Sequence, residues 1–113
     1  MKMKKEVKTI VSEIVEKLKR EYKPQRIILF GSYAYGNPTE DSVINLLILK
    51  NTDERRVDRL AQVKRIIYNP NCKIPVSPLV YSPEELEERL RKGDDFIKEI
   101  IQKGTILYEG ASS

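Results

Sequence analysis

The stretch RIILFGSYAYGNPTEDSVINLLIL, from Arg26 to Leu49, decides the fold of this chain. It begins with the short apolar run Arg26–Phe30, and a second apolar run, Val43–Lys50, closes it; such runs are typical of buried strands. Gly31 and Ser32 directly follow the first strand. A glycine there lets the backbone approach a phosphate closely, although a glycine–serine pair after a strand is more often only a tight turn.

The segments next to this stretch predict two helices. Apolar residues at spacings of three and four predict an amphipathic helix over residues 4–22. After the second strand, Asn51 and Glu54 have the spacing of a capping box for a helix over Thr52–Tyr68. The predicted inner face of this helix consists of Val57, Leu60, Ala61, Val63, Lys64 and Ile67.

The C-terminal part of the chain predicts a third strand, Ile74–Tyr81. Pro75 and Pro78 interrupt it, and since proline cannot donate a ladder hydrogen bond, we expect an edge or irregular strand.

Two helices and a last strand complete the predicted fold. Ser82, Pro83 and Glu85 have the spacing of an N-cap, a first helical residue and the third position of a capping box. Gly93 separates this helix from a second one, which ends at Gly104 before the strand TILYE. This order of elements predicts an α/β (α+β) domain with a mixed β-sheet flanked by helices.

Composition sets wider limits on fold and location. A chain of 113 residues with 40% apolar and 34% charged residues is expected to form one domain, residues 1–109, with a disordered tail at 110–113. Its one cysteine, Cys72, cannot form an internal disulfide. The charged N-terminal segment predicts neither a signal peptide nor a membrane span, so we expect a cytoplasmic protein. The absence of histidine excludes imidazole catalysis and His-ligated zinc.

The charge of the chain is compatible with an acidic partner. A formal charge of +4 and a pI near 9.2 permit binding to a nucleotide, an RNA or an acidic protein surface. The runs ERRVDR and VKR predict a basic helix face that could contact such a partner, although a solvated face with internal ion pairs is more common. Abundant lysine, arginine and glutamate with little glutamine is typical of thermophile proteins.

The quoted stretch resembles the nucleotidyltransferase superfamily of DNA polymerase beta, in its branch of minimal nucleotidyltransferases. The family pattern is a strand, Gly-Ser, about ten residues and then Asp-x-Asp on the next strand. Gly31 and Ser32 match that pattern, ten residues follow them, and the two aspartate positions hold Val43 and Asn45. The resemblance continues through KIPVSPLVYSPEELEERL and KGTILYE, so it covers nearly the whole chain.

The resemblance implies a two-magnesium site whose anionic ligands are missing here. In the family, the paired aspartates and a third carboxylate on a later strand hold two Mg²⁺ ions that bridge the triphosphate and the attacking hydroxyl. Val43 offers no donor atom, and Asn45 offers only a neutral oxygen. The third position falls at Ser77, or at a neighbour within Pro75–Leu79. We therefore predict no metal site and no confident catalytic residue, and we expect Mg²⁺ only if residual activity exists.

Other side chains could substitute for the missing groups. Asp41 shares strand parity with positions 43 and 45 but lies at the loop end, while Glu40 and Glu84 would need unusual backbone paths. Tyr33 and Tyr35 could stack on a base, although packing is the commoner role of such tyrosines.

The resemblance and the ligand count together leave three hypotheses about function. The first is a silent nucleotidyltransferase-like module, with Gly31 and Ser32 as nucleotide-binding residues, that binds ATP, another NTP or a partner protein. Such a module resembles antitoxins that pair with HEPN-domain proteins. The second is an active Mg-dependent enzyme that moves an NMP from an NTP to a protein or small acceptor. The third is a basic RNA-binding adaptor. The missing carboxylates favour the first.

Overall fold

The computed structural model describes residues 4–110, and their strands form one four-stranded sheet in the order β3-β2-β1-β4. In chain order, the elements are α1 Lys5–Glu21, β1 Arg26–Phe30, α2 Ser32–Tyr35, β2 Ile44–Leu49, α3 Arg56–Ile67, β3 Val76–Tyr81, α4 Pro83–Arg91, α5 Asp95–Lys103 and β4 Thr105–Glu109. The predicted fold class is confirmed.

The C-terminal end of the described chain continues one residue beyond β4. The backbone N–H of Gly110 donates a hydrogen bond to the carbonyl oxygen of Gln25, at 2.9 Å. The first residue of the predicted disordered tail is therefore tied to the start of the sheet, and the rest of that tail lies outside the described residues.

The sheet is mixed, because β1 pairs antiparallel with β2 and β4 while β2 pairs parallel with β3. The third strand begins at Val76 rather than at Ile74, and it lies at one edge of the sheet, as predicted. An edge strand accepts Pro78 because only one of its sides takes part in the hydrogen-bond ladder.

Both faces of the sheet are covered by helices. Alternate residues of β2 belong to different core layers: Ile44, Leu46 and Ile48 pack with α1 and α3, whereas Leu47 and Leu49 pack with α4 and α5. A strand that is buried on both faces reads as a continuous apolar run, which explains the sequence of β2. Asn45 interrupts this run, and by strand parity it lies on the α4–α5 side.

The start of α3 differs from the prediction. The helix begins at Arg56 rather than at Thr52, and its N-cap residue Arg55 makes no capping hydrogen bond through its side chain. The expected capping box at Asn51 and Glu54 is wrong. The Thr52 hydroxyl instead accepts the Glu54 N–H at 3.1 Å, a local turn that competes with helix formation.

The buried face of α3 also differs from the prediction. Val57 is 64% exposed, and Ala61 and Lys64 are exposed as well. Arg59 and Val63 are the buried residues of this helix. The sequence pattern placed arginine in solvent, but a buried guanidinium is tolerated where its donors are satisfied.

A hydrogen-bonded ion pair satisfies Arg59 and connects α3 to α4. Its Nε donates to the Glu54 carbonyl at 2.7 Å, and its Nη1 donates to Glu85 Oε1 at 2.6 Å. The same Glu85 oxygen accepts the Ser82 N–H, and the Ser82 hydroxyl accepts the Glu85 N–H, so the predicted capping box of α4 is confirmed. Burial raises the pKa of Glu85, but the hydrogen bonds from Arg59 and Ser82 outweigh it and hold that pKa below its ordinary value.

The loop after β1 depends on a glycine. Gly31 has a φ of +82°, and a Cβ added there would lie 2.5 Å from Asn45 Nδ2. The reason is the sheet register, in which the preceding residue, Phe30, pairs with Asn45. Gly93, between α4 and α5, has a similar φ of +78° but has no atom within 4 Å of an added Cβ.

We expect the charge of Glu85 to make the folded protein sensitive to acid. Because the pKa of Glu85 is lower in the folded state, its contribution to the free energy of unfolding is complete above the unfolded-state pKa. That contribution is lost as the pH falls through the folded-state pKa. Glu85→Gln keeps a residue suited to the capping box but loses the charge, so it should lower the free energy of unfolding by about 1–2 kcal/mol at pH 7. This difference from wild type should shrink below about pH 4.

Urea unfolding at pH 7 and pH 3 measures both effects. Glu88→Gln is the matched control, since Glu88 is an exposed glutamate of the same helix that pairs only with Lys92. The assignment would be contradicted if the difference in the free energy of unfolding between Glu85→Gln and wild type were the same at pH 7 and at pH 3.

We expect Gly31→Ala to destabilise the protein more than Gly93→Ala does. Both variants place an alanine at a positive φ, which costs about 1–3 kcal/mol, and only Gly31→Ala adds a steric clash of about 1–3 kcal/mol. Chemical denaturation measures the two losses. Asn45→Ala in the Gly31→Ala background should recover part of the extra loss, because it removes the clashing amide. Equal losses in the two alanine variants would be the contrary result.

Candidate functional site

The sheet register brings the two neutral residues of the motif together. Phe30 pairs with Asn45 across β1 and β2, and Asn45 pairs with Ser77 across β2 and β3. Both Asn45 and Ser77 line an open cleft of about 420 Å³, together with Gly31. Residues 32 sequence positions apart thus become direct cross-strand neighbours, at the place where the family resemblance expects carboxylates.

The remaining walls of the cleft are mainly apolar. Phe30 and Leu79 contribute from the sheet, Tyr35 from α2, and Phe96, Glu99 and Ile100 from α5. The Phe96 ring is 52% exposed and meets the Phe30 ring edge to face, with centroids 5.6 Å apart. Helix α5 holds this wall firmly because Ile97 and Ile100 are almost completely buried.

Val43, the first residue of the altered motif, does not line the cleft. It precedes β2, which begins at Ile44, and its side chain is half-buried. Its carbonyl oxygen accepts a long hydrogen bond of 3.4 Å from Asn45 Nδ2. Val43 therefore contacts the cleft residue Asn45 through its backbone carbonyl and contributes no side chain to the lining.

The two residues predicted to bind phosphate, Gly31 and Ser32, have different surroundings in the structure. Gly31 lines the cleft as the N-cap of α2, a helix of a single turn. The Ser32 hydroxyl points elsewhere, donating to Ser42 Oγ at 2.7 Å. The same Ser42 oxygen accepts the Thr39 N–H at 2.8 Å. Ser32 thus closes the loop between α2 and β2.

The two tyrosines of the loop also have different roles. Tyr33 packs against the α1–α3 core layer, whereas Tyr35 lines the cleft. Only Tyr35 is placed to contact a ligand there.

One carboxylate of the cleft was missed by sequence reasoning. Asp41, Glu40 and Glu84 are exposed and do not line the cleft, while Glu99 of α5 does. Glu99 was missed because no local pattern links it to β1. The signal in the sequence for the position of α5 was Gly104, which ends this helix and leads into β4, the strand that pairs with β1.

The donor set of the cleft does not fit a two-magnesium centre. Mg²⁺ needs near-octahedral oxygen ligands and at least one or two carboxylates. The cleft offers the Asn45 amide, the Ser77 hydroxyl and the exposed Glu99 carboxylate. Within residues 4–110, no group of three or more histidine, cysteine, aspartate or glutamate side chains is arranged to hold a metal ion.

The basic face predicted for α3 is partly neutralised. Arg55 pairs with Asp58 at 3.0 Å, Arg59 is buried in its ion pair with Glu85, and Arg56 lies over the Tyr81 ring at 4.8 Å. This arrangement leaves less free positive charge for RNA than the sequence indicates.

Across residues 4–110, none of the helices has the length and apolar character needed to cross a membrane.

Comparisons with known proteins agree with this geometry. The family model described as "Nucleotidyltransferase domain" matches residues 11–108. Two curated proteins of Methanocaldococcus jannaschii are similar in sequence. "Putative protein adenylyltransferase MJ1305" is 32% identical over 105 residues, which cover 88% of this chain and 70% of the relative. "Putative protein adenylyltransferase MJ0604" is 31% identical over 100 residues, which cover 87% of this chain and 94% of the relative.

A solved structure supports the fold. The crystal structure of a protein from Sulfolobus solfataricus, titled as a "putative nucleotidyltransferase", aligns with a TM-score of 0.61 at 19% identity and covers 89% of this chain and 78% of that one. The sheet order, the glycine-containing loop and the family match over residues 11–108 lead to one conclusion: the chain belongs to the nucleotidyltransferase domain family.

Proposed function

We propose that this protein is a catalytically silent nucleotidyltransferase domain that acts as an antitoxin-like binding module for a HEPN-domain partner. The observation that carries the proposal is the cross-strand pair of Asn45 and Ser77 in the cleft. Both side chains are neutral where the family resemblance implies carboxylates, and Val43 adds no donor. Phosphoryl transfer depends mainly on metal positioning and charge stabilisation, so losing the metal ligands should lower its rate by several orders of magnitude.

A protein partner is supported by the relatives and by the intact fold. Both Methanocaldococcus relatives are named as protein adenylyltransferases. A chain that keeps this fold while losing the metal ligands can still present the surface that meets such a protein. The HEPN class of the partner comes from the family resemblance. Purification from the native host tests it: a HEPN-domain protein should co-purify, and a chain that runs alone would count against the module.

Two other functions have weaker support. An active transferase would need a substitute metal site, and Glu99 is the one carboxylate that the described residues bring to the cleft. An RNA-binding adaptor would need a free basic face, and α3 uses Arg59 inside the fold.

We expect that carboxylates restored at the motif would rebuild a metal site. The variant Val43→Asp, Asn45→Asp, Ser77→Asp should be less stable than wild type without metal, because like charges lie close together. Magnesium should then stabilise the folded state. At about ten times its dissociation constant, it should add about 1.4 kcal/mol and raise the Tm by about 5 °C. Thermal melting with EDTA and with MgCl₂ measures this shift.

Matched variants make the result specific. Val43→Asn with Ser77→Asn places a neutral amide at all three positions and should show no magnesium-dependent shift. The double variant Asn45→Asp, Ser77→Asp tests whether position 43 is needed, given that Val43 does not line the cleft. Wild-type protein that transfers AMP from ATP in a magnesium-dependent reaction would refute the silent assignment.

A further inference from the structure

We propose that the cleft between the sheet and α5 binds a purine nucleoside, without its phosphates and without a metal ion. This inference rests on the proposed function, since it follows from the loss of the metal ligands. It adds that the lining of this cleft suits a base and lacks the basic side chains that would bind a triphosphate.

The aromatic wall provides a surface for stacking. Phe96 is half exposed and lines the cleft, and its ring meets Phe30 edge to face. Buried Ile97 and Ile100 anchor the helix that carries it. Tyr35 adds a second aromatic side chain to the lining. Flat aromatic ligands gain free energy by stacking on such rings, largely independent of which base they carry.

The charges of the cleft disfavour a triphosphate. Glu99 is the one charged side chain among the described residues that line it, and neither lysine nor arginine contributes to the lining. Phosphates are normally bound by arginine, lysine or a metal ion. A triphosphate would bring several negative charges to a cleft whose own charge is already negative. The Ser32 hydroxyl is also occupied by its hydrogen bond to Ser42.

Neutral polar groups at the floor fit an uncharged ligand. The amide of Asn45 has a donor and an acceptor side by side, an arrangement that matches the edge of adenine. Its hydrogen bond to the Val43 carbonyl is long, at 3.4 Å, so a ligand can replace it at little cost. Ser77 adds a hydroxyl next to Asn45. The cleft volume of about 420 Å³ lies within the usual range for small-molecule sites.

Isothermal titration calorimetry with adenosine and with ATP, both in EDTA, tests the proposal. Wild type should bind adenosine at least about tenfold more tightly than ATP, and MgCl₂ should leave the adenosine affinity unchanged. Phe96→Ala should weaken adenosine binding by at least about fivefold. Phe96→Leu, which keeps an apolar side chain but loses the ring, should also weaken it. Ile106→Ala is the matched control, because Ile106 is 55% exposed but lies on β4, outside the cleft, and it should have no effect.

A charge reversal separates the phosphates from the base. Glu99→Lys replaces the negative charge of the cleft with a positive one, so it should raise the affinity for ATP at least fivefold. The proposal is overturned if adenosine shows no binding at millimolar concentration, if ATP binds more tightly than adenosine in EDTA, or if Phe96→Ala binds adenosine as wild type does while its thermal melt shows a folded protein. Transfer of AMP from ATP by wild type would contradict the silent function instead, so the two failures are distinguishable.

Discussion

The antiparallel pairing of β1 with β2 is the constraint on which the rest of the structure depends. It sets Phe30 opposite Asn45 and brings the Gly31 backbone so close to the Asn45 side chain that a Cβ at position 31 would force the Asn45 amide to shift. These two strands are the inner strands of the sheet, with β3 added beyond β2 and β4 beyond β1. Both helical layers pack on this pair, so its register determines where every wall of the cleft lies.

The sheet forms without carboxylates at the positions where the family resemblance implies them. Aspartates on neighbouring strands would repel one another without a metal ion, which costs stability. Val43, Asn45 and Ser77 place no charge in that region. The buried apolar residues of β1 and β2 provide the core whatever occupies the motif. Stability and metal binding therefore place opposite demands on these positions.

Arg59 shows how far local patterns carry a structure prediction. Amphipathic spacing predicted α1 correctly, and the Ser82, Pro83 and Glu85 spacing predicted the start of α4, because both signals act within a few residues. The same reasoning misplaced the start and the buried face of α3. Its position depends on the ion pair between Arg59 and Glu85, which lies 26 residues away and joins two helices. Arginine is usually exposed, so the sequence pattern predicts a solvent position and cannot identify a partner that is distant along the chain.

Local sequence patterns predicted the order of the strands and of the longer helices but not the single-turn α2, and they predicted an edge or irregular strand at Pro75 and Pro78. They also revealed the lack of carboxylates at Val43, Asn45 and Ser77. Those features depend on residue type, spacing and backbone chemistry, which are local. Three-dimensional packing was needed to show that Asn45 and Ser77 share a cleft that Val43 does not line, and that the Ser32 hydroxyl donates to Ser42. It also places Phe96 and Glu99 of α5 at the wall of that cleft. These placements arise from packing between segments that are distant along the chain, where burial and strand register, rather than local propensity, set the positions of side chains.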